Sequence, residues 1–147
     1  MAKTLAIVFG IVFVLVGILG WVPNPIVGMN GIFMTNHLHD IVHLVTGIVL
    51  LVVAFMAADK SGLWLKIAGV VYLLVAVLGF LMAPNGGDVL GVSMNMTDHL
   101  LHVVLGIVLI VAGFAGAGGK KMASAPSMPS APAAPSSSSN TPMGGSM

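Results

Sequence analysis

The sequence contains no cysteine, arginine or glutamate, and charged residues fill only 6% of its 147 positions. Without cysteine, the chain can form no disulfide, no thiolate metal site and no cysteine nucleophile. A soluble domain carries about 25% charged residues, so this chain lacks the polar surface that water requires. Its five lysines and four aspartates leave a net charge of +1, which provides no basic face for nucleic acid. The composition excludes a soluble domain and a nucleic-acid-binding protein.

Hydrophobic residues make up 58% of the chain, and they are gathered into four long runs. A helix needs about 20 residues to cross a bilayer, and each run is long enough. The sequence therefore predicts an all-α integral membrane protein, with a four-helix bundle in residues 1–118. The predicted spans are residues 4–22, 38–58, 63–83 and 98–117. Residues 119–147 are rich in proline, serine and alanine, which predicts a disordered cytoplasmic tail.

The two halves of the predicted bundle are similar to each other. When residues 10–55 are compared with residues 69–114, an offset of 59, 17 of the 46 positions are identical. The identities include polar and glycine positions, among them Gly10 with Gly69, His43 with His102 and Gly47 with Gly106. We interpret the pattern as a duplicated helical hairpin. Because each unit has two spans, the two hairpins should be parallel and related by a pseudo-twofold axis along the membrane normal.

All five lysines fall on one side of a four-span chain, at Lys3, Lys60, Lys66, Lys120 and Lys121. The loop between the first two spans and the loop between the last two contain no lysine. Lysine and arginine are enriched in cytoplasmic loops. We therefore expect the protein in the cell membrane, with both termini cytoplasmic and the starts of the second and fourth spans facing outward.

Polar residues open the second and fourth spans at matching positions. Residues three and four apart share a helix face, so His39, His43 and Gly47 form one stripe. Asp98 and His102 form the corresponding stripe in the fourth span. The first interpretation is structural, because polar side chains hydrogen-bond between membrane helices and small residues let helices approach closely. In this interpretation the polar cluster holds the bundle together or meets a partner.

The structural interpretation assigns two further sets of residues. Asn36 and Asn95 are good helix N-caps, and Asp98 follows Asn95 at the spacing of a capping box. Small residues recur seven apart in the first and third spans, which predicts packing seams. The expected packing residues are Gly10, Gly17, Gly47, Gly69, Ala76 and Gly106.

The alternative interpretation is a transition-metal site for binding or transport. Ionisable groups at membrane depth are costly and often mark function, and imidazoles with carboxylates are suitable metal ligands. The candidate ligands are His39, Asp40, His43, Asp98, His99 and His102. The outer loops also carry thioethers that suit Cu(I), at Met29, Met34, Met94 and Met96.

Other site chemistries have less support in the sequence. Haem ligation by His43 and His102 is disfavoured because nothing basic lies nearby for the propionates. A proton or substrate relay lacks polar residues near the midplane, although an oligomer could still transport. Nucleophile elbows and phosphate loops are missing, so we expect no enzymatic activity and no cofactor. The expected partners are the lipid bilayer and a second copy or another membrane protein.

The stretches "NHLHDIVH" and "NMTDHLLH", each with a glycine four residues after its last histidine, resemble the bacterial four-helix membrane family described as domain of unknown function 4383. That family has a glycine-rich first span and an H-x-x-x-G stripe at the start of the second and fourth helices. The matching positions are Asn36, His43, Gly47, Asn95, Asp98, His102 and Gly106. His39 and His99 fall where the family is expected to carry asparagine or another polar residue. The resemblance covers residues 4 to about 116, and it implies a fold and a bacterial cell membrane without implying a reaction.

Overall fold

The computed structural model describes residues 1–115, and four long helices dominate this part of the chain. They are α1 (Ala2–Leu19), α2 (His37–Met56), α3 (Ser61–Met82) and α4 (Met96–Phe114). Each is long and apolar enough to cross a membrane, which confirms the prediction of four apolar helices. The predicted tail, residues 119–147, lies outside the described residues.

The helices begin one or two residues before the predicted spans and end one to three residues before them. The start of α2 follows directly from Asn36, whose side chain accepts a hydrogen bond from the backbone N–H of His39. The end of α1 is set by proline, because Pro23 has no N–H and restricts the backbone of Val22. Residues 20–36 then form an irregular loop at the end of the bundle away from the N-terminus. We call this end of the bundle the outer end, and we call residues 20–36 and 83–95, which lie there, the outer loops.

Two short strands precede α4, and the all-α prediction did not include them. Strands β1 (Gly87–Val89) and β2 (Val92–Met94) pair antiparallel, with Asp88 opposite Ser93. The turn between them has positive φ angles of 54° at Leu90 and 86° at Gly91. Two consecutive left-handed residues match the twist of a tight hairpin. The hairpin brings β2 back over the outer ends of the helices.

Each helix packs chiefly on its sequence neighbour, α1 on α2 and α3 on α4. Glycine makes this contact possible, because a Cβ atom on Gly47 would lie 2.6 Å from the carbonyl oxygen of Gly10. In the second hairpin, a Cβ atom on Gly69 would lie 2.6 Å from the carbonyl oxygen of Gly106. The helix backbones therefore touch directly within each hairpin, as small residues permit in membrane proteins.

The end of the bundle that holds the chain's N-terminus has an apolar core. Its centre is filled by side chains that are at most 1% exposed, namely Ala6, Leu50, Leu65 and Leu109. Lys3, Lys60 and Lys66 surround a shallow cavity at this same end. The outward sides of all four helices expose apolar residues along their length, as a surrounding bilayer requires. Apart from Ser61 at the start of α3, the buried polar residues of the described helices lie towards the opposite end.

Replacing Gly47 with alanine should separate α1 from α2, because the added methyl group would collide with the Gly10 carbonyl oxygen. We expect a loss of about 1 to 3 kcal/mol in the free energy of unfolding. Thermal unfolding in detergent micelles measures the effect. Ile48→Ala is the matched control, because Ile48 is 47% exposed on the same helix and should change stability little. Equal stability of both variants would contradict the proposed contact.

Candidate metal centre

Five rings meet at the outer end of the bundle, and all four helices contribute. Phe13 comes from α1, His39 and His43 from α2, Tyr72 from α3 and His102 from α4. His39 stacks on His43 with ring centroids 4.8 Å apart, and the centroids of His43 and His102 are 6.1 Å apart. None of the five side chains is more than 6% exposed. We call this group the ring cluster.

Three imidazoles of the ring cluster can reach a common point. One ring nitrogen from each of His39, His43 and His102 lies within 4.8 Å of the other two. His43 and His102 each lie six residues after the first residue of their helix, which is roughly 9 Å along the helix at 1.5 Å per residue. Both therefore sit at the same depth, on different helices. The structure brings together three of the six predicted metal ligands.

Hydrogen bonds hold two of these imidazoles by the same nitrogen. The Nδ1–H of His39 donates to the carbonyl oxygen of Ser93 at 2.9 Å. The Nδ1–H of His102 donates to the carbonyl oxygen of Asp98 at 2.6 Å. Because a carbonyl oxygen can only accept, Nδ1 must carry the hydrogen in both rings. In the neutral imidazole the lone pair is then on Nε2, the atom that remains for a metal ion.

Tyr72 orients the third imidazole. Its hydroxyl oxygen lies 3.1 Å from Nδ1 of His43, so this ring is also held through Nδ1. Metal-binding histidines usually hydrogen-bond through the nitrogen that does not bind the metal, which fixes the ring and its tautomer. In all three imidazoles of the cluster, Nδ1 has a hydrogen-bonding partner.

Asp98 lies beside the ring cluster but is engaged elsewhere. Its Oδ2 accepts hydrogen bonds from the backbone N–H of Met34 at 2.9 Å and of Asn95 at 2.8 Å. Asn95 in turn accepts from the backbone N–H of Asp98, so the two residues form a capping box. The carboxylate therefore serves the start of α4 and ties the first outer loop to it.

Asp40 and His99 are buried outside the three-imidazole group. The carboxylate of Asp40 packs against Gly20, and the imidazole of His99 packs against Gly79. His99 also donates from Nε2 to the carbonyl oxygen of Ala83 at 2.8 Å. Each side chain fills the space that a missing Cβ atom leaves on the neighbouring helix. These two predicted ligands pack the hairpins and do not point to the common nitrogen site.

The two N-cap residues also join the outer loops. The side-chain amide of Asn36 donates to the carbonyl oxygen of Gly91 at 2.8 Å. The side-chain amide of Asn95 donates to the carbonyl oxygen of Ile32 at 2.9 Å. Each asparagine therefore caps its own helix and holds the loop of the other hairpin. This exchange closes the bundle above the ring cluster.

Two cavities flank His43 and His102, which line both. The first, between α2 and α3, has a volume of about 150 Å³, and the second, between α1 and α4, about 250 Å³. The first is also lined by His39, Tyr72 and Met94. The positions related to these by the offset of 59 line the second, namely Asp98, Phe13 and Thr35. The two cavities are therefore lined at corresponding positions of the two halves, but by different residue types.

The sequence analysis missed Phe13, Tyr72 and Ser93 as parts of the site. One signal was available, because Tyr72 is the only tyrosine of the chain and aligns with Phe13 under the offset of 59. No comparable signal marked Ser93, whose contribution is a backbone carbonyl oxygen. A backbone acceptor is placed by the β-hairpin and leaves no trace in residue type.

The fold and the ring cluster define a small multi-pass membrane protein with buried imidazoles near one end of a helical bundle. Residues 3–115 match the model of the family described as "Domain of unknown function (DUF4383)". The chain therefore belongs to that family, and the resemblance seen in the sequence is confirmed. No curated protein and no solved structure matches the chain.

Replacing Asp98 with alanine should leave the backbone N–H groups of Met34 and Asn95 without their acceptor. An unsatisfied buried donor costs about 1 to 3 kcal/mol, so we expect thermal unfolding in detergent at a clearly lower temperature. Asp98→Asn keeps one acceptor oxygen and should lose less. If the two variants unfold at the same temperature, the hydrogen bonds of this carboxylate do not stabilise the bundle.

Proposed function

We propose that this protein binds one transition-metal ion through His39, His43 and His102. The observation that carries the proposal is the convergence of three imidazole nitrogens within 4.8 Å on rings that are each held through Nδ1. Metal–nitrogen bonds of about 2.0 to 2.1 Å place two ligands of a tetrahedral ion about 3.3 Å apart. Small rotations of the three buried rings would bring the nitrogens from within 4.8 Å of one another to this shorter separation. Imidazole suits zinc, copper, iron and nickel.

The site binds an ion and does not provide a route across the membrane. Beyond the ring cluster, the described part of the bundle is filled by Ala6, Leu50, Leu65 and Leu109, none more than 1% exposed. An ion leaving the imidazoles in that direction would have to pass among these apolar side chains, at a large cost in desolvation free energy. These contacts support storage, sensing or a stabilising role for the ion over transport. We propose no enzymatic activity.

The arrangement in the membrane is part of the same proposal. Lys3, Lys60 and Lys66 lie at one end of the bundle and the ring cluster lies at the other. By the positive-inside rule, the lysine end is cytoplasmic and the ring cluster faces outward in a bacterial cell membrane. The matched glycine contacts, asparagine exchanges and cavities support two parallel hairpins from a duplication. A second copy or another membrane protein as partner remains part of the proposal.

A second candidate function is helix packing without an ion. The stacked rings favour it, since Phe13 lies 5.6 Å from His43 and Tyr72 lies 5.2 Å from His102, centroid to centroid. Such ring pairs stabilise a core by about 0.5 to 1.5 kcal/mol beyond the area they bury. Under this candidate the imidazoles join the two hairpins, and added metal has no effect on stability.

The double variant His43→Ala, His102→Ala tests the proposed function. We expect the wild type, purified in detergent, to bind one Zn²⁺ or Cu⁺ per chain by elemental analysis, and the variant to bind none. An ion at 100 times its dissociation constant should raise the free energy of unfolding by about 2.7 kcal/mol. The variant should lose this effect.

Two single variants serve as controls for the double variant. His37→Ala removes an exposed imidazole from the same helix, and His99→Ala removes a buried one outside the three-imidazole group. Both should keep the bound ion. If the wild type holds no ion and no ion stabilises it, while the double variant is merely less stable, helix packing is the function of the cluster.

A further inference from the structure

We propose that the ion at the three imidazoles is Cu(I), with the thioether of Met94 as its fourth ligand. This inference rests on the proposed function and adds the identity of the ion. It starts from the position of Met94, which is 1% exposed and lines the same cavity as His39, His43 and His102. The cavity is therefore lined by three histidines and one buried methionine.

Strand β2 connects Met94 to the imidazoles. The residue before it, Ser93, accepts the hydrogen bond from Nδ1 of His39 through its carbonyl oxygen. The backbone that carries the thioether is therefore tied to one of the three metal-binding rings. Met94 also packs among Ala83, Val89 and their apolar neighbours, which holds the side chain inside the bundle.

Two positions at which the halves of the chain differ place a methionine and a histidine beside the same cavity. The position that corresponds to Met94 is Thr35, and the position that corresponds to His39 is Asp98. Met94 and His39 both line the cavity between α2 and α3, whereas Thr35 and Asp98 line the cavity between α1 and α4. Both differences supply a soft or borderline ligand to the same cavity. A purely structural role does not require the methionine and the histidine to line the same cavity.

Charge favours a monovalent ion at this place. Asp98 is occupied by two backbone N–H groups and Asp40 packs against Gly20, so the four ligands are neutral. The cost of moving an ion into an apolar medium rises with its charge, and no carboxylate joins the three imidazoles to neutralise the second charge of a divalent ion. A divalent ion would keep its whole charge inside the bundle. Thioether and imidazole together are a ligand set that Cu(I) prefers.

Met94→Leu tests the inference, because leucine keeps a similar volume without the sulfur. The full chain in detergent is stripped of metal and titrated with Cu(I) under anaerobic conditions with ascorbate, against a colorimetric Cu(I) chelator. We expect the wild type to take up one Cu(I) per chain and Met94→Leu to bind it at least about tenfold more weakly. Zn²⁺ binding should be the same in both proteins. X-ray absorption should show a sulfur neighbour in the wild type only.

Met29→Leu is the matched control, because Met29 is 60% exposed in the first outer loop and should not contribute to the site. Equal Cu(I) affinity in the wild type and Met94→Leu, or a copper site with nitrogen neighbours alone, overturns the inference. If that result comes with metal binding that still requires His43 and His102, the proposed function stands and only the ion and its fourth ligand are wrong. If neither Cu(I) nor Zn²⁺ binds, both proposals fail. The thermal unfolding of metal-free Met94→Leu shows whether the variant is folded.

Discussion

Direct contact between helix backbones at glycine is the constraint on which this bundle depends. Gly10 meets Gly47, and Gly69 meets Gly106, at distances that leave no room for a Cβ atom. Lipid tails are as apolar as the helix surfaces, so packing and hydrogen bonds must hold membrane helices together. The glycines provide that packing within each hairpin. The wider space between the hairpins is left for large side chains, and at the outer end it contains the ring cluster.

Buried polar groups in this space must find their partners inside the protein, because the bilayer interior offers none. The outer loops supply many of them. Ser93 accepts from His39, Asp98 accepts from the loop residue Met34, and the amides of Asn36 and Asn95 hold each other's loops. One consequence is that hydrogen bonds through Nδ1 restrain the imidazoles before any ligand arrives, so that only small ring rotations are needed to bind one. Such preorganisation is what a metal site needs from the residues around it.

The two hairpins share a framework and differ in the chemistry of their interiors. Asp40 and His99 occupy corresponding positions in the two hairpins. Asp40 packs against Gly20, and His99 packs against Gly79, the glycine that corresponds to Gly20. The preceding pair is exchanged in the opposite sense, with His39 in the first hairpin and Asp98 in the second. At two consecutive positions, one hairpin therefore carries a carboxylate where the other carries an imidazole. As a result His39 lines one cavity and the capping carboxylate of Asp98 lines the other, while His43 and His102 line both, which makes the interior asymmetric.

The sequence by itself determined the four membrane-crossing helices, because runs of about 20 apolar residues have no other stable arrangement in a bilayer. It also indicated the residues of close packing and the polar positions near the starts of α2 and α4, since helical periodicity assigns residues to faces. It could not show that His39 joins His43 and His102 while His99 packs against Gly79, because helical periodicity does not tell which neighbouring helix a buried side chain meets. The positions of Tyr72 and the Ser93 carbonyl oxygen, and the choice of Met94 among the four candidate methionines, were decided by tertiary structure alone. They come from a third helix and a β-hairpin, and contacts between distant segments depend on how the hairpins dock, which no local pattern encodes.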